Sequence, residues 1–121
     1  MAKYTFVVLT NATEGKDAEF NEWYNNQHIP DVLNVPGMVA AQRFKLADTQ
    51  MGGEKQHKYL ALYEIETDDL PGVLKDMQSR GGTADMVMSD AIDLKRVAAY
   101  IFTPAAEKVM AKDVARPRRA A

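Results

Sequence analysis

The stretch HKYLALYEIE, residues 57–66, decides the fold. Its aromatic, aliphatic and β-branched residues predict a β-strand, along which side chains alternate between two faces. One face carries Tyr59, Ala61, Tyr63 and Ile65, and the other carries Leu60 and Leu62. A strand that is apolar on both faces has to be covered on both. Helices of the same domain can cover one face, so something else must cover the other.

The elements on either side of this strand predict an α+β fold. Runs rich in β-branched and aromatic residues predict strands at 3–11, 38–47 and 95–104, and apolar residues at helical spacing predict helices from Lys16 onward and within 67–82. The order β-α-β-β-α-β is that of a ferredoxin-like domain, a four-stranded antiparallel sheet with both helices on one face. Because the second face is left bare and apolar, we expect a homodimer that packs sheet to sheet.

The charge distribution separates a domain from a tail. We expect a single domain over residues 1–104 and a basic tail over residues 105–121. Residues 107–121 carry five basic and two acidic side chains, a net charge of +3, whereas the whole chain carries −2 and the remainder therefore −5. An acidic body argues against nucleic acid as a partner. The tail is expected to be loosely attached or to cross onto the partner subunit.

The composition limits the kinds of site that the chain can hold. The 121 residues include no cysteine, which excludes disulfides and thiolate chemistry. The two histidines, His28 and His57, are too far apart in sequence to indicate a metal site. No apolar run approaches the roughly 20 residues of a membrane span, and no signal-peptide pattern follows Met1. We therefore expect a cytoplasmic protein that uses neither a metal nor a membrane.

The first helix contains the most informative motif, FNEWYNNQHIPDVL, residues 20–33. Aromatic residues at helical spacing are followed by His28 and Pro30. A residue that precedes a proline is disfavoured in the α conformation. We therefore expect the Ile29–Pro30 step to interrupt the helix, with a short second helical piece that begins at the proline.

The pattern F-x-x-W-Y-x-x-x-H-x-P, followed by PGMVAAQRF, resembles the dimeric α+β barrel superfamily, and within it the EthD-like proteins and their stress-responsive relatives. Those proteins share a first helix ending in His-x-Pro, a Pro-Gly step and a strand with an arginine before an aromatic residue. The matching positions are His28, Pro30, Pro36, Gly37, Arg43 and Phe44. The resemblance spans residues 3–104 and implies a small-molecule pocket protein. Its relatives include cofactor-independent isomerases, cyclases and monooxygenases, some expected in aromatic-compound catabolism, and haem-binding members.

His28 is the candidate acid/base catalyst, with Asp31 as its catalytic partner. His28 lies one helical step from Tyr24 and three residues before Asp31. A hydrogen bond with Asp31 would fix the imidazole tautomer and raise its basicity. A neutral imidazole near pH 7 suits proton transfer at a carbon next to a carbonyl group. The alternative is that the imidazole only caps the C-terminus of the helix.

Six further residues are candidates for substrate binding. The aromatic rings would form a flat apolar slot for a ring, and the arginine would hold a carboxylate or an enolate. The candidates are Tyr4, Phe6, Trp23, Tyr24, Arg43 and Tyr63. The alternatives are that the aromatic residues only fill the core and that Arg43 forms a surface salt bridge.

These residues favour a cofactor-free enzyme that acts on a small ring-containing or oxo-acid metabolite, with His28 as general acid/base. The enzyme would be an isomerase, a cyclase or a monooxygenase. Two alternatives are a non-catalytic ligand-binding or stress-responsive protein and a haem-binding relative with His28 as axial ligand. An RNA-binding module ranks last, because the third strand lacks the basic-glycine-aromatic pattern of such modules.

Overall fold

A computed structural model describes residues 1–115 of the chain. Four strands and three α-helices form the domain, and a π-helical turn joins the first two helices. In chain order they are β1 (Ala2–Thr10), α1 (Asp17–Trp23), the π-helical turn (Tyr24–His28), α2 (Ile29–Leu33), β2 (Met38–Lys45), β3 (Tyr59–Thr67), α3 (Leu70–Arg80) and β4 (Ala98–Phe102). Short 3₁₀ turns span Leu94–Arg96 and Ala111–Asp113.

The four strands form one antiparallel sheet with the order β2-β3-β1-β4. β3 is central and pairs with β1 from Ala2↔Thr67 to Thr10↔Tyr59. The chain passes from β1 to β2 through α1, the π-helical turn and α2, which together form the first helical segment. This connection crosses over β3, because β3 lies between β1 and β2 in the sheet. The α+β, ferredoxin-like fold is therefore confirmed.

The core lies between one face of the sheet and the helices. On β3 this face carries the four residues predicted to share it, and all four are buried: Tyr59, Ala61, Tyr63 and Ile65. Phe20 from α1 is fully buried against them, and Val73 from α3 packs into the same cluster. The helices thus supply the first of the two covers that the sequence of β3 requires.

The expected short second helical piece is confirmed as α2, but the expected interruption at Ile29–Pro30 is wrong. The backbone stays helical through this step, with φ −71° and ψ −46° at His28 and φ −58° and ψ −50° at Ile29. The π-helical turn just before Pro30 explains the difference, because it has already replaced the i→i−4 hydrogen bonds that a proline would break. Asn34 is the residue at the C-terminal end of α2. His28 therefore lies inside a continuous helical segment, and its assignment as a helix cap is also wrong.

Helix α3, the second of the two helices predicted from the sequence, begins directly after its capping residue, Asp69. The Asp69 carboxylate accepts a hydrogen bond from the backbone N–H of Gly72 at 3.1 Å, so α3 starts at Leu70 and not at the beginning of the predicted range. Before β2, Gly37 has φ +101°, and a side chain there would lie 2.8 Å from a methyl group of Val73. A glycine is needed at this position for both reasons.

The face of the sheet away from the helices carries apolar side chains that the single chain leaves half-buried at the centre and exposed at the margins. Val7 pairs with Leu62 and Leu9 with Leu60 at its centre. At its margins lie large, accessible side chains, Phe44 on β2 and Tyr100 and Phe102 on β4, of which the last two are 56% and 54% exposed. The predicted second apolar face of β3 therefore exists, and no element of residues 1–115 covers it.

The segment after β4 makes little contact with the domain. Residues 103–115 are exposed throughout, including the apolar side chains of Val109 and Met110. The predicted basic tail begins in this segment. Its last six residues, including Arg116, Arg118 and Arg119, lie outside the described residues, so the tail remains a proposal.

We propose that a second copy of the chain covers the open face of the sheet. Light scattering should then give twice the chain mass of 13.5 kDa, because an apolar face of this extent is unfavourable in water. The double variant Tyr100→Glu/Phe102→Glu should be a folded monomer, since it places two charges in the interface. Gln78→Glu, on the exposed side of α3, is the matched control and should stay dimeric. A wild-type monomer at micromolar concentration would contradict the proposal.

Candidate active site

The imidazole of His28 lies against two aromatic rings of its own helix. It stacks on Trp23 with a centroid distance of 4.7 Å and an interplanar angle of 26°. It meets Tyr24 edge to face at 4.9 Å and 89°. Five residues span about 1.4 turns of an α-helix, so Trp23 and His28 would normally point to different sides. The π-helical turn, with its i→i+5 spacing, brings the two rings into line.

Burial controls the charge of His28. It lowers the pKa of the imidazole to about 4; the negative charge of Asp31 opposes this shift, and the positive charge of Arg43 adds to it. The ring is therefore neutral at pH 7. Its buried Nδ1 has no hydrogen-bond partner among residues 1–115. A buried polar atom in this state costs about 1–3 kcal/mol of stability, so such atoms are rare in folded proteins.

Asp31 does not orient His28 as expected. Its Oδ2 accepts hydrogen bonds from Gln27 Nε2 at 2.8 Å and from the backbone N–H of Val87 at 3.0 Å. The carboxylate thereby ties α2 to the segment that precedes β4. The expected hydrogen bond to His28 is not formed, and the expected rise in basicity is wrong, because desolvation outweighs the attraction of Asp31. Asp31 still acts on His28 through its charge.

Two buried tyrosines join the helix to the sheet behind His28. The hydroxyl groups of Tyr24 and Tyr63 are hydrogen-bonded at 3.1 Å, and both side chains are almost completely buried. Phe6 packs against the ring of Tyr63 at 5.6 Å. Burial raises the pKa of both phenols, so both stay protonated at neutral pH. Tyr24 contacts His28 on one side and Tyr63 on the other, and so connects the two parts of the site.

The guanidinium group of Arg43 lies over the same tyrosine. Its central carbon is 4.3 Å from the ring centroid of Tyr24 and 5.5 Å from that of Tyr59. Arg43 donates hydrogen bonds to Asn25 Oδ1 at 2.7 Å and to Asn21 Oδ1 at 3.0 Å. The alternative of a surface salt bridge is wrong within residues 1–115, where no carboxylate lies within 4.0 Å of this group.

Of the candidate binding residues, the structure brings five into one connected group and leaves one apart. Trp23, Tyr24, Tyr63, Phe6 and Arg43 are linked by the contacts described above. Tyr4 makes none of these contacts: it lies beside Ile65 on β3, packs against the same core, and lines a separate cavity of about 210 Å³ near Pro104.

The sequence analysis missed Asn21 and Asn25. They lie one helical turn apart and follow Phe20 and Tyr24, the two residues that face the sheet. They therefore lie toward the edge strand β2. Asn21 is itself held in place, because its Nδ2 donates to the backbone oxygen of Asp17 and to the hydroxyl of Tyr59. The sequence signal that identifies the two asparagines is their i, i+4 spacing, each directly after a residue that faces the core.

Two surface cavities adjoin this group, and His28 lines neither. One, of about 370 Å³, is lined by Asn21, Asn25, Arg43, Phe44, Lys45 and Tyr59. The other is an open groove of about 570 Å³ on the far side of α1, lined by Glu19, Glu22, Trp23, Asn26, Gln27, Met88, Ser89 and Asp90. Within the described residues, no three histidine, aspartate or glutamate side chains are grouped to hold a metal ion. In the same part of the chain no helix is both long and apolar enough to span a bilayer.

Known proteins share the sequence and the fold in part. The model of a family described as a domain of unknown function, DUF4286, matches residues 3–71. Core atranone cluster (CAC) protein 1 of Stachybotrys chlorohalonatus is 38% identical over 50 residues, which are 41% of this chain and 20% of that protein. The chain thus spans about a fifth of the length of the curated relative that it matches.

Among solved structures, the chain resembles a mutant of SnoaB, a cofactor-independent oxygenase from Streptomyces nogalater. The TM-score is 0.54 at 17% identity, over 88% of this chain and 97% of that one. An EthD family protein from Bacillus halodurans gives a TM-score of 0.47 at 19% identity, over 90% and 100% of the two chains. The match to SnoaB extends over most of both chains and shows that the two share a fold.

The low pKa of His28 should make the protein less stable in acid. Between pH 6.5 and 4 the unfolded chain binds a proton at this histidine and the folded chain does not, so stability falls as the pH falls. The His28 contribution to the free energy of unfolding should drop by about 2 kcal/mol from pH 7.5 to pH 5. Urea denaturation at both pH values measures this. Between these pH values the free energy of unfolding of His28→Gln should fall by about 2 kcal/mol less than that of the wild type. Asn34→Gln should behave like the wild type.

The tyrosine pair should show coupled effects on stability. Tyr24→Phe or Tyr63→Phe alone leaves the other hydroxyl buried without its partner and should cost about 1–3 kcal/mol in the free energy of unfolding. The double variant should cost less than the two single changes together, since it removes both hydroxyl groups. Urea denaturation of the four proteins gives the coupling energy. Strictly additive losses would show that the hydrogen bond is not formed in solution.

Proposed function

This chain belongs to the DUF4286 family, and we propose that it is a cofactor-independent enzyme that acts on a small ring-containing or oxo-acid compound. His28 is the general acid/base in this proposal. The shared step is removal of a proton from a carbon next to a carbonyl group. The resulting enolate can be reprotonated at another carbon by an isomerase, attack a carbonyl in a cyclase, or react with oxygen in a monooxygenase.

The single observation that carries the proposal is the state of the His28 imidazole. It is neutral, flanked by aromatic rings, and its buried Nδ1 has no partner among residues 1–115. A core histidine with a purely structural role normally has its ring nitrogens hydrogen-bonded. We take this unpaired nitrogen as the atom that exchanges a proton with a ligand, because the stability that it costs is typical of functional sites.

The surroundings of His28 suit a flat substrate. Trp23 and Tyr24 provide apolar ring surfaces, and the Tyr24–Tyr63 pair keeps one neutral O–H donor that its own hydrogen bond does not use. A phenol that stays protonated can donate a hydrogen bond to the carbonyl oxygen on which negative charge develops. Phe6 supports the ring of Tyr63 from β1. These residues, with Arg43, are the proposed substrate contacts.

The low pKa of His28 has two consequences for such a reaction. The base form is populated throughout the range above about pH 5, so protonation of the free enzyme does not limit the rate at neutral pH. A base with so low a pKa takes a carbon-bound proton only if the enolate is stabilised at the same time. The positive charge of Arg43 and the phenol donor are placed to supply that stabilisation, which is why we assign them to the same site.

The fold supports a reaction without a cofactor, because SnoaB is described as a cofactor-independent oxygenase. A haem with His28 as axial ligand is the alternative, and absorption of the purified protein in the Soret region separates the two.

Solvent deuterium exchange tests the proposal before the natural substrate is identified. A panel of small ring-containing carbonyl compounds, such as phenylpyruvate, 2-tetralone and 1,8-dihydroxyanthrone, is incubated with the protein in deuterated buffer. Loss of the α-carbon proton signals is followed by NMR. For at least one compound the wild type should accelerate exchange, and His28→Gln should reduce that acceleration about 10²–10⁴-fold.

His57→Gln is the matched control, because His57 lies on the loop before β3 and contacts the backbone oxygen of Arg96. It should exchange at the wild-type rate. The accelerated rate should also be constant from pH 6 to pH 8, since His28 stays neutral over this range. Equal acceleration by the wild type and His28→Gln would show that His28 is not the base.

A further inference from the structure

We propose that the cavity between α1 and the edge strand β2 binds the carboxylate group of a small aromatic acid. The residues that form this carboxylate site are Arg43 and Lys45 on β2 and Asn21 and Asn25 on the first helical segment. The statement that this acid is the substrate rests on the proposed function. Binding of a carboxylate at the site does not depend on it and can be tested separately.

The first support is a partly buried cation without an anionic partner. Within residues 1–115, no carboxylate lies within 4.0 Å of Arg43 or of Lys45. The hydrogen bonds of Arg43 in that part of the chain go to two neutral amide oxygens. Burial also lowers the pKa of Arg43, which means that the site destabilises the charge it holds. Such charges are usually paired when buried.

The second support is the fixed position of the unused donors. A guanidinium group has five N–H donors in a rigid planar fork. Two are used, one to each asparagine, and the others have no acceptor among the described residues. Asn21 is locked by its own bonds to Asp17 and Tyr59. The group is therefore oriented before a ligand arrives, as two-pronged recognition of a carboxylate requires.

The third support is the shape and charge of the cavity. Arg43 and Lys45 are two residues apart on β2, so their side chains share one face of the strand. The cavity that they line has a volume of about 370 Å³, and no acidic side chain lines it. Tyr59 provides its aromatic wall, while the side chain of Phe44 belongs to the opposite face of the sheet. A ring that carries one carboxylate matches two cations beside one aromatic surface.

The carboxylate site and His28 share one neighbour. Both groups contact the ring of Tyr24, His28 at 4.9 Å and the central carbon of Arg43 at 4.3 Å from its centroid. These two distances limit the separation of the imidazole centroid and the guanidinium carbon to 9.2 Å. His28 does not line the cavity, so binding of an acid there can be tested without reference to the imidazole.

Binding of benzoate tests the carboxylate site, with benzamide as the uncharged probe of the same shape. Each is titrated into ¹⁵N-labelled protein while the side-chain amide signals of Asn21 and Asn25 are followed by NMR. Benzoate should give a saturable shift of both signals, and benzamide should bind at least about tenfold more weakly, because it lacks the charge.

Three variants locate the binding. Arg43→Gln should raise the Kd for benzoate about tenfold or more, and Lys45→Gln, an exposed change that leaves the core intact, should raise it about threefold. Lys75→Gln, on the exposed side of α3, should leave the Kd unchanged. The readout is a Kd and needs no turnover, which separates this inference from the proposed catalysis.

Other outcomes would overturn the inference. They are equal affinity for benzoate and benzamide, benzoate binding that neither Arg43→Gln nor Lys45→Gln weakens, and no saturable shift at tens of millimolar benzoate. Inorganic phosphate that shifts the same signals at lower concentration than benzoate would also overturn it, by assigning the site to another anion.

Discussion

The ring of Tyr24 is the contact on which the candidate site depends. Its hydroxyl joins the first helical segment to β3 through Tyr63, and its ring touches both His28 and Arg43. Because this tyrosine is buried, neither the histidine nor the arginine can shift far without disturbing the core. The same contacts that close the core therefore hold the polar groups in a fixed arrangement, as a catalytic site requires.

The sequence predicted the fold well, because the order of elements and the two apolar faces of β3 follow from local periodicity. Local rules failed at Ile29–Pro30, where a widened turn removes the penalty that a proline normally imposes. They also failed at Asp31, whose carboxylate bonds to Val87, 56 residues away. The partners of Arg43 are of the same kind, since Asn21 and Asn25 come close to it only through the tertiary fold.

Desolvation dominates the electrostatics of this region. It lowers the pKa of His28 despite a carboxylate nearby, it raises the pKa of both tyrosines, and it lowers the pKa of Arg43. In water these groups would have the ordinary pKa values of their side chains, and the pKa shifts arise from the low dielectric of the surroundings. The domain gives up stability at these positions, and such losses concentrate where a protein meets a ligand.

The π-helical turn has a consequence for comparing relatives of this chain. A π-helical turn amounts to one residue inserted into an α-helix, and the widened turn absorbs the extra residue. A homologue that lacks one residue between Tyr24 and His28 can return to a regular α-helix and still hold its histidine beside the tryptophan, because residues i and i+4 share one face. A homologue of equal length whose segment is a regular α-helix would instead turn its histidine away from Trp23, so the conformation of this turn, and not a gap in an alignment, decides whether the stacked imidazole is retained.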